Sequence, residues 1–377
     1  MKRFNVSITT MAIAFFIFNG CKKDEVEING IEDFETYLSE EMTDQNIPAT
    51  AVMIFKGETI LYEKYQGYSN IQQNVALADN HLFLIASISK VVTATALLQL
   101  YEDGAFGLDE PINNYLPFSV TVPGYSQQIT FRMLLTHTSG IADNDVVMDA
   151  QYYYNQDPPI SLASFIENYL EVGGTFYDEY DNFHDFEPGT QFEYSNIGSA
   201  VIGVLVENIS GLDFNTYCKD NIFTPLGMTN TSWRLNEITQ TIVTPYDFLN
   251  GSNQVIQHYT NTDYPNGGLR TTVQDLHKLL IAFENAGMSN GHPLLESSTI
   301  DAMMSAQFIN SQGETVGLHL YLDEETNTWG HDGGEQGVAT IMGFNPTSKV
   351  GAIVFTNQGE ADLDGLFEEA YKLGEKL

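Results

Sequence analysis

The sequence predicts an α+β fold: one antiparallel sheet built from both chain ends and covered by helices, with an inserted, mainly helical lobe. Two observations carry this. Strand-like runs come in pairs at both ends, "AVMIF" with "ILYEKY" near the start and "VATIMGFNP" with "VGAIVFTNQ" near the finish. The stretch between is loop-rich, and its periodic segments have helical spacing. One sheet drawing strands from both ends buries both pairs with the fewest layers.

The elements follow in chain order. Lys2 and Arg3 precede an apolar run, Ile8 to Phe18, and Gly20-Cys21 closes it. That run has the length of a signal-peptide core and is too short to span a bilayer as a helix. Residues 1–20 read as a signal peptide and residues 21–30 as a polar tether. In "IEDFETYLSEEMTDQN", Ile31, Phe34, Leu38 and Met42 share one helical face. "AVMIFKGETILYEKY" reads as a hairpin turning at "KGE". Ser87 to Asp103 reads as a helix stopped by Gly104. "SLASFIENYLE" and "NIGSAVIGVLVENISG" supply lobe helices. "VGLHLYL" from Val316 joins the two late strands as a third, and Leu363 to Leu377 closes the chain as a helix. The sheet portion covers about 31–104 and 262–377, and the lobe about 105–261.

Charge narrows the function classes. Fifteen basic residues against 50 acidic ones give the 377-residue chain a net charge of −35. Such a surface repels nucleic acid and anionic membrane. With Cys21 set aside, Cys218 is the one cysteine left, so neither a disulfide framework nor a cysteine metal cluster is available.

Three short stretches can carry chemistry. Ser87 and Lys90 stand at i and i+3 at a helix start, where their side chains share a face. From Leu82 to Tyr101, Lys90 is the only charged residue. Burial and the positive helix end both push a lysine toward a neutral amine, the form able to activate a serine. A capping serine with a lysine that snorkels outward gives the same letters. In "QFEYSN" an extended backbone points Tyr194 and Asn196 the same way, with Asn196 placed to cap the next helix. A tyrosine can relay a proton and an asparagine can hold a carbonyl; a packed aromatic with a plain cap is the alternative. In "WGHDGGEQG", His331 and Gly333 face one side if the segment is extended, and glycine beside a strand permits close backbone approach. A glycine-rich surface turn fits as well.

In this order and at these separations, the three stretches resemble the motifs of the serine beta-lactamase-like hydrolases, in the branch of class C beta-lactamases, D-alanyl-D-alanine carboxypeptidases and esterases. "MLLTHTSGI", "EPGTQFEYSN", "TPLGMTNTSW" and "NGGLRTTVQDLHKLL" are similar in style, and the likeness runs from about Ile31 to Gln358. The resemblance implies Ser87 as acylated nucleophile and Lys90 as its activating partner. It implies Tyr194 in proton transfer, with Lys90 or Tyr194 as the acylation base. Asn196 would bind the substrate carbonyl, and the backbone N–H groups of Ser87 and Gly334 would form the oxyanion hole beside Gly333. His331 stands where many relatives carry lysine, which disfavours strong beta-lactamase activity. The implied substrates are D-amino-acid peptides or small esters, with beta-lactams or a non-enzymatic penicillin-binding-like surface protein as alternatives. No metal or cofactor is implied. Gly20-Cys21 resembles a lipobox, which implies lipidation at Cys21 and a cell-envelope protein, periplasmic or surface-facing, touching membrane only through that anchor. Three further features have weaker readings: His137 as a structural turn residue, with a triad histidine as the alternative; Arg270 as a surface cation, with an anion contact as the alternative; and the aromatic Tyr152–Phe186 segment as lobe packing, with the lining of the cleft mouth as the alternative.

Overall fold

The structure, a computed structural model, describes residues 28–289 and 291–377. The expected signal peptide, Cys21 and most of the tether lie outside the described residues. The tether's last residues are docked: Ile28 is buried, and its carbonyl accepts from Lys376 Nζ at 2.5 Å.

The first helix, α1 (Ile31–Asp44), buries Phe34, Leu38 and Met42, while Ile31 stays partly exposed. The strands β1 (Ala49–Lys56) and β2 (Thr59–Asn70) form the expected hairpin, with Gly57 at φ +57° in the turn, and β3 (Val75–Ala76) extends it. The central helix α2 (Ser89–Glu102) buries 11 of its 14 residues, as a helix apolar on all sides must. The main lobe helices are α3 (Leu162–Leu170) and α4 (Asn196–Ser210), the latter ending at Gly211 in the left-handed region. Next comes α5 (Val273–Glu284). The late strands are β4 (Phe308–Ile309), β5 (Thr315–Val316), β6 (Tyr321–Asp323), β7 (Thr328–Glu335), β8 (Val338–Phe344) and β9 (Val350–Thr356), before the closing helix α6 (Asp364–Lys376).

These nine strands make one sheet in the order β4-β5-β6-β7-β8-β9-β1-β2-β3. The two chain ends meet at β1 and β9, antiparallel, with Val52 opposite Val354. Side chains alternate across the sheet, and each face has its own cover. Ala51, Met53 and Phe55 of β1 join Met342, Phe344, Ile353 and Phe355 in the large core shared with α2, α4 and α5. Val52 and Ile54 join Ile341 and Val354 on the other face, under Phe34 and Leu38 of α1 and Leu366 and Phe367 of α6. Each of these side chains larger than alanine contributes about 1.5–3 kcal/mol by leaving water. Burial on both faces explains why "AVMIF" is continuously apolar instead of alternating.

Three expectations need correction. The run from Val316 is not one strand: it breaks into β5 and β6, with Val316 opposite Tyr321. His319 between them takes φ +55°, and Gly317 N–H closes the turn on the Leu320 carbonyl at 2.8 Å. The helix expected from Ser87 begins as a 3-10 turn, Ala86–Ile88, before α2 proper. The inserted lobe also contains short strand pairs, such as Tyr152–Tyr154 with Tyr259–Asn261. Among the described residues, no single helix is long and apolar enough to cross a membrane.

Candidate active site

Ser87 is presented by a turn pinned on three sides. Just before it, Phe83–Leu84 pairs with Arg270–Thr271. Ile85 N–H donates to the Leu269 carbonyl at 2.9 Å, and Ser89 Oγ accepts from Leu269 N–H at 3.1 Å, so one residue of "NGGLRTT" brackets the turn. Thr340 Oγ1 of β8 donates to the Ile85 carbonyl at 3.0 Å. Ala86 is held at φ +44°, a region costing a non-glycine residue about 1 kcal/mol or more. The surroundings over-determine this conformation, and it leaves Ser87 partly accessible while its neighbours Ala86 and Ile88 are buried. Gly333 of β7 makes the close approach possible: a Cβ there would lie 2.6 Å from the Ile85 carbonyl oxygen and 2.5 Å from Thr340 Oγ1. At Gly334 a Cβ would meet nothing, so that position faces open space.

Lys90 is fully buried one helical turn on, and it does not snorkel. Its Nζ lies 3.1 Å from Ser87 Oγ, 2.7 Å from Asn196 Oδ1 and 2.8 Å from the Asn266 carbonyl oxygen. Burial pulls its pKa down to about 7, against the opposing pull of Asp143, Asp263, Asp332 and Glu335. A neutral amine has two N–H groups and one lone pair. The two carbonyl oxygens can take only hydrogens, so the lone pair falls to the Ser87 hydroxyl. Asn266 is itself fixed, its side-chain amide donating to the Asp263 carboxylate at 2.6 Å. Burial pushes that carboxyl up to about 7.

Tyr194 and Asn196 both reach this lysine. Lys90 Nζ lies 4.8 Å from the Tyr194 ring centroid. Burial raises the Tyr194 phenol well above its usual value, and a hydrogen bond with Ser87 draws it partly back, so the phenol stays protonated at neutral pH. Asn196 is not the cap of α4. Ser195 is, its Oγ accepting from Gly198 N–H at 2.8 Å, and Asn196 is the first helical residue.

His331 lies within β7, not on a turn before a strand, opposite Met342. It is buried, and burial lowers its pKa to about 3. Its Nδ1–H donates to the Asp332 carbonyl at 2.5 Å, which leaves Nε2 as an acceptor. It is therefore a neutral group and no substitute for a lysine cation. Arg270 is not a surface cation: it is buried and donates to the Gly268 and Tyr259 carbonyls. His137 lies in the structural turn expected of it, at φ +54°, with Nδ1 accepting from Ser195 N–H at 3.1 Å. The aromatic segment is divided. Phe165 and Tyr169 are core, Tyr180 is exposed, and the Tyr152 hydroxyl donates to Glu335 at 2.9 Å beside the site.

Sequence reasoning missed Asp143 and Asn266. Asp143 takes hydrogen bonds from both the backbone and the side chain of Asn196, yet 53 positions separate the two and no spacing rule connects them. Asn266 meets Lys90 through its backbone carbonyl, which any residue type could supply. His319 was also passed over; its Nε2 lies 3.4 Å from Ser199 Oγ, behind His137.

Comparisons with known proteins agree with this picture. Residues 34–373 match the Beta-lactamase family. Protein Flp of Staphylococcus aureus is 24% identical over 330 residues, covering 86% of this chain and 63% of Flp, so the chain spans a little under two thirds of that relative. Penicillin-binding protein 4 of Amycolatopsis lactamdurans is 27% identical over 334 residues, covering 85% of this chain and 83% of its own. The octameric penicillin-binding protein homologue from Pyrococcus abyssi has the same fold, with a TM-score of 0.74 at 23% identity over 92% of this chain and 77% of its own. Because the family match runs over nearly all the described residues, with Ser87, Tyr194 and Asn196 meeting at Lys90 and His331 beside Tyr194, the chain belongs to the Beta-lactamase family.

Proposed function

We propose that the protein is a serine hydrolase that forms an acyl-enzyme on Ser87 and acts on small esters or D-amino-acid peptides. One observation carries the reading. A buried lysine lies 3.1 Å from Ser87 Oγ, with its other two contacts occupied by carbonyl oxygens. With a pKa near 7, Lys90 takes the Ser87 proton more readily than Tyr194, whose phenol burial keeps protonated. Ser87 Oγ then attacks the acyl carbon, and the carbonyl π pair moves onto oxygen. The backbone N–H groups of Ser87 and Gly334 would receive that oxyanion, and the open space at Gly334 supports this. As the tetrahedral intermediate collapses, the leaving group takes the proton from Lys90, with the Tyr194 hydroxyl as relay. Water then attacks the acyl carbon and gives its proton to Lys90; the C–Oγ bond breaks as this second tetrahedral intermediate collapses, and Ser87 Oγ takes that proton back from Lys90.

Among these substrates, those without a carboxylate at the leaving group are favoured. His331 is neutral, Arg270 is committed to carbonyls, and Asp332 and Glu335 lie close enough to act on Lys90. The same electrostatics ranks beta-lactamase activity lower. The test is intact-protein mass spectrometry after a fluorophosphonate probe, followed by an acyl-substrate panel on wild type and Ser87→Ala. One adduct that disappears in Ser87→Ala is expected. No adduct, or one that survives Ser87→Ala, would overturn the reading. Nitrocefin turnover with kcat/KM above about 10⁴ M⁻¹s⁻¹ would overturn the ranking. We place the protein in the cell envelope, anchored through lipid on Cys21, on the strength of the lipobox-like leader. Loss of radiolabelled palmitate incorporation in Cys21→Ser checks this.

A further inference from the structure

Asp143 is joined to the site by more hydrogen bonds than packing alone calls for. It sits on the loop after the "THTSG" turn, and its two carboxylate oxygens together accept four donors. Oδ2 takes Asn196 N–H and Asn196 Nδ2–H, both at 2.9 Å. Oδ1 takes Ile197 N–H at 2.9 Å and Ser195 Oγ–H at 3.3 Å. An asparagine amide can flip, exchanging its oxygen for a nitrogen at nearly the same position. Here the flip is blocked at the Asp143 end, where it would set the amide oxygen against a carboxylate oxygen, while the neutral amine of Lys90 at the other end could meet either an oxygen or an N–H. We propose that Asp143 is a positioning residue that locks the Asn196 amide with Oδ1 toward Lys90, so that Asp143, Asn196, Lys90 and Ser87 form one oriented chain ending at the nucleophile.

The inference rests on the reading of Lys90 as the base for Ser87. An unlocked Asn196 would present N–H to Lys90 for part of the time. A neutral Lys90 would then turn its lone pair to that N–H and away from the Ser87 hydroxyl. Asp143 also acts through its charge. The ionisable groups around Lys90 are Asp143, Asp263, Asp332 and Glu335, which favour its cation, and His137, His319, His331 and the Tyr194 phenol, which burial keeps neutral. Asp143 leads the carboxylates in raising the Lys90 pKa.

The test replaces Asp143 by Asn. Whichever way the new amide turns, its NH₂ faces a donor that the carboxylate formerly accepted. Two readouts are taken: the rate of Ser87 labelling by a fluorophosphonate, and the titration of Lys90 followed by NMR of ¹³Cε-labelled lysine, assigned by its absence in Lys90→Met. Asp143→Asn is expected to label about 10–100-fold more slowly. Its Lys90 midpoint should move down by about half to one pH unit. A residue with a purely structural role would lower the melting temperature without moving that midpoint. Labelling at the wild-type rate, or an unmoved midpoint, would overturn the proposal and leave the hydrolase reading intact. If wild type does not label while the midpoint moves, the hydrolase reading falls and the hold of Asp143 on Lys90 stands. Should Asp143→Asn fail to fold, Asp143→Glu keeps the charge and shifts the carboxylate by one methylene. It is expected to slow labelling with the midpoint nearly held, and wild-type labelling would overturn the proposal.

Discussion

The imidazole of His137 stacks on the phenol ring of Tyr194, with centroids 4.3 Å apart and 25° between the planes. The same imidazole accepts Ser195 N–H through Nδ1, and the His137 carbonyl accepts Glu193 N–H at 2.9 Å. One residue thus grips the Tyr-Ser-Asn segment by ring and by backbone. Accepting at Nδ1 requires a neutral imidazole, and burial supplies it by lowering the His137 pKa well below the usual value. His137→Ala is expected to slow acylation by about 10–100-fold, since small misplacements of catalytic groups cost this much. Stopped-flow labelling of Ser87 measures it, and an unchanged rate would show that Tyr194 is held by other contacts.

Acylation should follow the titration of Lys90. If Lys90 is the base, as proposed, the neutral amine is the working form, and burial lowers its pKa to about 7. The acylation rate therefore rises with pH through about 7 and levels off above it; at pH 5 it is about 100-fold below the plateau. The measurement is a pre-steady-state pH profile. A limb that continues upward toward the ordinary lysine value near 10.5 would remove Lys90 as the base. Lys90→Arg keeps the charge, cannot deprotonate, and should show no plateau activity.

Most of the fold was legible because its signals are local. "ATAVMIF" and "VGAIVFT" read as strands, and "IEDFETYLSEEM" as an amphipathic helix. In the candidate site, Ser87, Lys90, Tyr194, Asn196 and His331 stand out by side-chain chemistry and order, and the structure brings them together. What stayed hidden depends on tertiary context. Arg270 looked like a surface cation because burying a guanidinium is costly, and only the structure reveals the Gly268 and Tyr259 carbonyls that accept its hydrogens. The break at His319 follows from one positive φ inside an otherwise strand-like run. Ser195 took the cap from Asn196 because the amide of Asn196 is held by Asp143 and Lys90, a competition no spacing rule contains.

Gly333 and Gly334 should respond oppositely to one added methyl group. In Gly333→Ala the new Cβ meets the Ile85 carbonyl oxygen and Thr340 Oγ1 inside contact distance, and it drives the Ser87 turn away from β7. Overpacking of this kind costs about 1–3 kcal/mol, and Ser87 labelling should fall with it. In Gly334→Ala the methyl enters open space, so thermal stability should stay at the wild-type value. Paired melting curves decide the matter. Equal melting temperatures for both variants would show that the turn is not wedged against β7 at Gly333.

Glu284 should make the fold less stable as pH rises. It lies at the end of α5, 8% exposed, and burial pushes its carboxyl up to about 8 despite the pull of Lys349. The folded pKa is above the unfolded value of about 4.5, so folding favours the protonated form. That contribution is complete below about pH 4.5 and is lost progressively as pH rises through about 8. Glu284→Gln keeps the shape and cannot ionise. It should match wild type near pH 4.5 and exceed it at pH 8 by roughly 1–3 kcal/mol, allowing for relaxation around a group that is not fully enclosed. In a chain of this size that is a rise of a few degrees in Tm. Melting both proteins from pH 4.5 to 8.5 tests the sign as well as the size. A variant that gains nothing at pH 8 would mean that the Glu284 charge is already neutralised in the fold.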